Sequence, residues 1–242
     1  MRRLKRLAIV TLVALMPLSS HAECIEGNCE NGFGKFEMPD GHKYQGTWKE
    51  GKPDGYGIAH LPNGNKYIGE FVEGAWNGCG VEVYPDGRKY IGQFSLSKYN
   101  GQGTITTPNG DVYTGQFVDG VPSGKGKMVF KEGGSFIGSF ENGKVGDYGA
   151  MTTPDGLIYV GELAEESFDG EGTMAWPDGR RYSGEWKKGK FQGKGTMVFA
   201  DKNVVTGFWD NGVLTGWGCE IHRDGSEVCG KVEKGNVLRE AK

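Results

Sequence analysis

Tyr44-Gln45-Gly46-Thr47-Trp48-Lys49-Glu50-Gly51-Lys52-Pro53-Asp54-Gly55-Tyr56-Gly57 returns with the same spacing as Tyr182-Ser183-Gly184-Glu185-Trp186-Lys187-Lys188-Gly189-Lys190-Phe191-Gln192-Gly193-Lys194-Gly195. The residue at the head of this stretch recurs every 23 positions, and Tyr67, Tyr90, Tyr113, Phe136, Tyr159, Val205 and Val228 complete the series. Each head is followed two residues later by glycine. A fixed period of this length means one supersecondary unit stacked on copies of itself. Function then becomes a property of a repeated surface.

Numbering each repeat from its head as zero exposes the internal plan. Position four is aromatic or apolar, as in Trp48, Phe71, Phe94, Phe117, Leu163, Trp186 and Trp209. Glycines fill positions eleven and thirteen, and an alternating stretch leads to Pro-Asn-Gly or Pro-Asp-Gly, as at Pro62-Asn63-Gly64 and Pro85-Asp86-Gly87. Such tripeptides between alternating runs signal a turn, so each repeat should give two antiparallel strands. A three-residue loop sets position fourteen opposite position one of the next repeat. It pairs Ile58 with Ile68, Val81 with Ile91, Thr104 with Thr114, Thr173 with Ser183, and Thr196 with Thr206, like opposite like. The same rule sets Cys219 opposite Cys229, at a separation a disulfide can span.

This register places the position-eleven glycine opposite the position-four ring and the position-thirteen glycine opposite the position-two glycine. Glycine inside a strand costs conformational entropy, so its regular use is expected to leave room for rings. The expected fold class is all-β: an elongated antiparallel β-hairpin repeat array of about eight full repeats with partial repeats at each end. A single layer buries little, and disulfides near both ends should act as caps.

Residues 1–22 read as a cleaved secretory signal peptide: Arg2, Arg3, Lys5 and Arg6, an apolar run from Leu7 to Leu18, then Ser20-His21-Ala22. That run is too short to span a bilayer, and the basic start resembles bacterial export signals. The expected product is residues 23–242, periplasmic or secreted. Removing the leader takes away four of 28 basic side chains and no acid, leaving 24 against 31 and a net charge of −7. An acidic product is a poor partner for nucleic acid. The five cysteines all lie in the exported part, where disulfides persist. Cys24 and Cys29 flank a short turn and are expected to pair, as are Cys219 and Cys229. Cys79 is left over, either a half-buried free thiol or the link of a covalent dimer or of a bond to a partner.

The pattern Tyr44-Gly46-Trp48-Gly51-Gly55-Gly57, repeated as Tyr182-Gly184-Trp186-Gly189-Gly193-Gly195, resembles the MORN repeat (membrane occupation and recognition nexus) over nearly all of residues 23–242. The resemblance implies a hairpin array serving in protein interaction, dimerisation or membrane association. It also implies that enzymatic activity, where family members have it, lies in an attached domain.

No catalytic, metal or cofactor constellation stands out. His42, His60 and His222 share no ligand spacing, and no Cys-x-x-Cys occurs. The recurrent Gly-x-Gly leads into strand sequence rather than a helix, so a phosphate loop fails on context. Glu70, Glu162 and Glu185 at position three read as a solvated face. The expectation is therefore a non-enzyme without cofactors.

Two surface features remain. Lys43, Lys66 and Lys89 precede the head in three successive repeats, an anion-binding row or a set of solubilising lysines. Position nine, in the turn segment before the glycine pair, is apolar in every repeat, and Trp76, Tyr99, Phe168 and Phe191 are large enough to anchor an interface or stack on a sugar, unless they pack back on the core. The expected role is a scaffold for a protein partner at the cell envelope. The alternative is a binding module for membrane lipid headgroups or envelope glycan.

Overall fold

The structure, a computed structural model, describes residues 23–233 and 235–237. The expected leader at residues 1–22 lies outside them. Every regular element among the described residues is a β-strand. The chain divides into two units, one of residues up to 131 with 140–144 and one of 132–139 and 145 onward.

In the N-terminal unit, β1 (Glu23–Gly27), β2 (Gly32–Glu37), β3 (Lys43–Lys49), β4 (Lys52–His60) and β5 (Lys66–Val72) follow one another. β6 (Ala75–Val83), β7 (Lys89–Ser95), β8 (Lys98–Thr106), β9 (Val112–Val118) and β10 (Val121–Val129) complete the series. Each pairs antiparallel with the next. The division between units falls within β11 (Ser135–Glu141) and β12 (Lys144–Thr152). In the C-terminal unit, β13 (Ile158–Ala164), β14 (Ser167–Ala175), β15 (Arg181–Lys187) and β16 (Lys190–Val198) repeat the plan. They are followed by β17 (Val204–Asp210), β18 (Val213–Ile221), β19 (Glu227–Glu233) and β20 (Asn236–Val237). Neighbours from β12 onward are again antiparallel.

The register expected from the three-residue loop is observed. Ile58 faces Ile68, Val81 faces Ile91, Thr104 faces Thr114, and Cys219 faces Cys229. In the Pro62-Asn63-Gly64 loop the Leu61 N–H donates to the Asn65 carbonyl at 2.9 Å, and Gly64 takes φ +84°. Disulfides join Cys24 to Cys29 and Cys219 to Cys229, and Cys79 is free.

One face of each unit carries the core. Tyr44, Tyr67, Tyr90 and Tyr113 are buried in the N-terminal unit, Tyr159 and Tyr182 in the C-terminal unit. Their rings meet position-four rings edge-on: Tyr67 lies 5.1 Å from Phe71 and 5.0 Å from Phe94. Each hydroxyl is satisfied by the carbonyl of position three, as when Tyr67 donates to Glu70 at 2.9 Å. Burial raises these phenols, to about 12 for Tyr113, Tyr159 and Tyr182.

Two positions differ from expectation. Position nine does not lie in a turn. The turn is shorter, Glu50-Gly51 with φ of 50° and 72°, a two-residue turn of the type that matches strand twist. This leaves Pro53, Trp76, Tyr99, Phe168 and Phe191 inside strands, directly opposite the position-four residue of their own hairpin. The position-eleven glycines also serve another purpose than ring clearance. They sit at β-bulges with positive φ, for example Gly55 at +93° and Gly101 at +91°, a conformation that disfavours any Cβ. Clearance is the task of position thirteen, where a Cβ on Gly57 would stand 2.4 Å from the Tyr44 ring.

Candidate functional site

Position-nine side chains fill the core instead of projecting from it. Trp76 lies parallel to Tyr67 at 4.3 Å with an interplanar angle of 3°, and Tyr99 stacks on Tyr90 at 3.6 Å. In the C-terminal unit Phe168 stacks on Tyr159 and Phe191 on Tyr182, both at 3.9 Å. Trp76, Tyr99 and Phe168 are 8%, 0% and 9% exposed, which leaves no ring face for a partner. Trp76, Tyr99 and Phe168, expected as interface anchors, are therefore core, and Phe191 is half-buried against Tyr182 and Trp209. Their backbones join repeats as well: the turn N–H of Ser97 donates to the Trp76 carbonyl at 2.9 Å, and that of Gly120 to Tyr99 at 2.8 Å.

The exposed chemistry lies on the opposite face. Alternation puts positions −1, 1 and 3 on that face, and the register turns each into a row crossing the strands. The middle row of the N-terminal unit runs Gln45, Ile58, Ile68, Val81, Ile91, Thr104, Thr114. It is apolar over β4–β7 and polar on either side. Ile68 and Ile91 remain 41% and 48% exposed. Beside it runs a second row: Lys43, His60, Lys66, Val83, Lys89. The structure thus brings all three lysines onto one line along the apolar stripe. Lys43 pairs with Glu37 at 2.8 Å, whereas Lys66 and Lys89 have no acidic partner among the described residues.

The third row carries Tyr56, Glu70, Cys79, Gln93 and Gln102. Its acceptors are committed to the bulges. Glu70 Oε1 accepts the Cys79 N–H at 3.3 Å and the Tyr56 hydroxyl at 3.1 Å, and Gln93 accepts the Gln102 N–H at 2.7 Å. The hydrogen bond to Glu70 raises the Tyr56 hydroxyl above the ordinary phenol range. In the C-terminal unit Glu185 takes the Lys194 N–H at 2.8 Å in the same way. Glu70 and Glu185 thus act as acceptors for backbone N–H groups at the bulges. The middle and third rows together line an open groove of about 770 Å³, with Phe33, Tyr56, Ile68, Cys79, Val81 and Ile91 among its lining residues and the lysine row along its border.

The C-terminal unit offers a control within the same chain. Its middle row reads Ala150, Val160, Thr173, Ser183, Thr196, Thr206, and its hydroxyls pair with one another, Thr173 with Ser183 at 2.9 Å and Thr196 with Thr206 at 3.0 Å. No lysine row accompanies it. The grouping of Cys219, Glu227 and Cys229 has metal-ligand proximity, but both sulfurs are committed to the disulfide.

The sequence pattern described as MORN repeat matches residues 44–66, 67–87, 90–112, 113–135, 159–180 and 182–204, more than half of the chain. The chain belongs to the MORN-repeat family. No curated protein matches this MORN chain in sequence. Among solved structures, the TCP10 domain of Danio rerio CPAP in complex with a peptide of Danio rerio STIL is similar in fold. Its TM-score is 0.50 at 15% identity, covering 88% of this chain and 95% of that one. The same domain without peptide gives 0.44 at 13% identity over 83% and 90%. The Drosophila melanogaster SAS-4 TCP domain with a proline-rich motif of dSTIL gives 0.40 at 10% identity over 71% and 86%.

Proposed function

We propose that this MORN array is a non-catalytic interaction module, exported to the bacterial cell envelope, that seats a segment of another protein in the groove over β3–β8. The observation that carries this function is the coincidence, in the same repeats, of an outward-facing Ile58–Ile68–Val81–Ile91 stripe, exposed at Ile68 and Ile91, with a line of lysines. Isolated exposed apolar residues are ordinary, but a contiguous set with a charged border marks an interaction surface. The Danio rerio CPAP domain, of the same general fold, is described with a peptide partner, which agrees with a peptide-holding role. Export is supported by the basic and apolar character of residues 1–18 and by the two disulfides, which persist in oxidising compartments. A non-catalytic role is supported by position-three carboxylates that serve backbone donors.

Cys79 supplies the test, because its exposed thiol stands in the groove. A heterobifunctional crosslinker attached to Cys79 is photoactivated in the native envelope, and the adduct is mapped. Crosslinks confined to one segment of one protein, lost in Ile68→Asp, support the function. Adducts only to lipid or glycan support the envelope-ligand alternative through Lys66 and Lys89, and a Cys79 adduct to a second copy supports a homodimer. Either result, or an adduct set unchanged by Ile68→Asp, overturns the protein-segment function.

A further inference from the structure

We infer that the occupant of the groove is an acidic amphipathic α-helix lying across the strands, its apolar face on Ile58, Ile68, Val81 and Ile91 and its carboxylates against Lys66 and Lys89. This rests on the groove being the interaction site and adds the chemistry of what enters it.

The spacing selects the helix. One repeat advances two strands, about 9.6 Å across the sheet. Seven helical residues advance about 10.5 Å, so apolar side chains at i, i+3 or i+4, and i+7 fall on successive apolar residues of the stripe. Lys66 and Lys89 are one repeat apart, so carboxylates at i and i+7 meet both. An extended strand takes three residues, roughly 10 Å, to cover the same distance. Its period of two then turns every second anchor away from the sheet. The width agrees as well. The outer rows lie four residues apart along the strands, roughly 13–14 Å, and a helix with its side chains is about 10–12 Å across.

Two other occupants share part of this chemistry. A polyproline helix has a pitch of about 9.3 Å, but such helices dock in aromatic-lined grooves. The floor here is aliphatic, with Phe33 and Tyr56 toward one side. An anionic bilayer would use the same lysines. A bilayer is a plane, whereas Ile58, Ile68, Val81 and Ile91 lie along an open groove that continues past Tyr56 and Cys79. The protein is also acidic as a whole, with a formal net charge of −3 over the full sequence. The lysine row therefore acts at contact range, within a screening length of about 8 Å, on a partner small enough to touch it.

The test uses the purified protein and fluorescent designed peptides, read by anisotropy at about 50 mM salt. One peptide is an amphipathic helix with leucines on its apolar face and glutamates at i, i+7 and i+14. Its variants carry glutamine or lysine at those sites. A proline-rich peptide of equal length and phosphatidylglycerol vesicles complete the set. The glutamate helix is expected to bind roughly five- to tenfold more tightly than the glutamine helix. The double variant Lys66→Glu/Lys89→Glu should lose that preference and acquire one for the lysine helix. This exchange of preference shows that the variant is folded. Equal binding of glutamate and glutamine helices, stronger binding of the proline-rich peptide or the vesicles, or a double variant with unchanged preference overturns the inference. Failure here with Cys79 crosslinks still confined to one protein segment removes only the helix. Crosslinks insensitive to Ile68→Asp remove the groove itself.

Discussion

The Tyr99 hydroxyl donates to Glu82 Oε2 at 2.7 Å inside the aromatic core, where Glu82 is 1% exposed. The equivalent position in neighbouring repeats holds Ala59, Ile105 or Met128, so the carboxyl is an exception within an apolar row. It is compensated by donors: the Tyr84 hydroxyl reaches the same oxygen at 2.8 Å, and the Asn65 amide reaches Oε1 at 3.0 Å. A buried carboxyl without such partners would cost several kcal/mol.

Burial raises the Glu82 carboxyl above its ordinary value, although the hydrogen bonds and the nearby Arg88 oppose the shift. A carboxyl whose folded pKa is raised binds its proton more tightly in the folded state. The stability penalty of ionisation is absent below the unfolded carboxylate pKa and complete above the folded one. Denaturant unfolding of wild type and Glu82→Gln across pH 4–8 should therefore show the variant gaining on wild type as pH rises through that window. The absolute offset depends on how the Asn65 amide pairs anew, but the slope does not. A difference that is flat, or that falls with pH, contradicts the assignment.

Gly80 and Gly87 separate two uses of glycine. A Cβ on Gly80 would stand 2.6 Å from the Tyr67 ring, whereas Gly87 has open space around it and φ +88°. Gly80→Ala should cost about 1–3 kcal/mol by overpacking and alter the near-ultraviolet circular dichroism as Tyr67 moves. Gly87→Ala should cost about 1–2 kcal/mol through backbone strain and leave that spectrum unchanged. Identical spectral responses would mean that clearance under the rings is not what position thirteen provides.

Much of this architecture was legible in the sequence, and the losses have definite causes. The 23-residue period and the Pro-Asp-Gly loops were enough to place Cys219 opposite Cys229. Position nine was misplaced although Asp119-Gly120, Asn142-Gly143 and Asn211-Gly212 carry the signature of a two-residue hairpin at the equivalent turns, because the bulge at Gly55 hides the strand period behind extra residues. Trp76 and Tyr99 therefore resembled surface anchors when they are core. The groove was missed for another reason. Lys66 and the Ile58–Ile68 pair were both visible, but the pair was read as cross-strand packing. The ring-and-glycine face was read as the core, but the strand alternation was not carried one residue further, where Ile58, Ile68, Val81 and Ile91 face outward beside the lysines.

Trp76→Ala and Ile68→Asp should separate the two faces. Removing the ring stacked on Tyr67 opens the core and should cost about 3–5 kcal/mol, seen as an early denaturation midpoint. Binding in the groove should survive wherever the variant remains folded. Ile68→Asp, on an exposed side chain, should shift stability by no more than about 0.5–1 kcal/mol and abolish binding. If Trp76→Ala weakens binding at temperatures where it is fully folded, position nine contributes to recognition after all.

Serine at both Cys219 and Cys229 tests how far stability travels along the sheet. The bond closes a loop with a sequence separation of 10, for which chain entropy gives about 2–3 kcal/mol. In an array where each repeat touches only its neighbours, such a loss stays local. Hydrogen exchange should therefore quicken in β18 and β19 and at the Thr206–Gly207 amides of β17, while the Tyr67 and Tyr90 amides keep their protection. Uniform acceleration across both units would show instead that the disulfide supports one cooperative fold, and the nearest-neighbour account of this array would have to be abandoned.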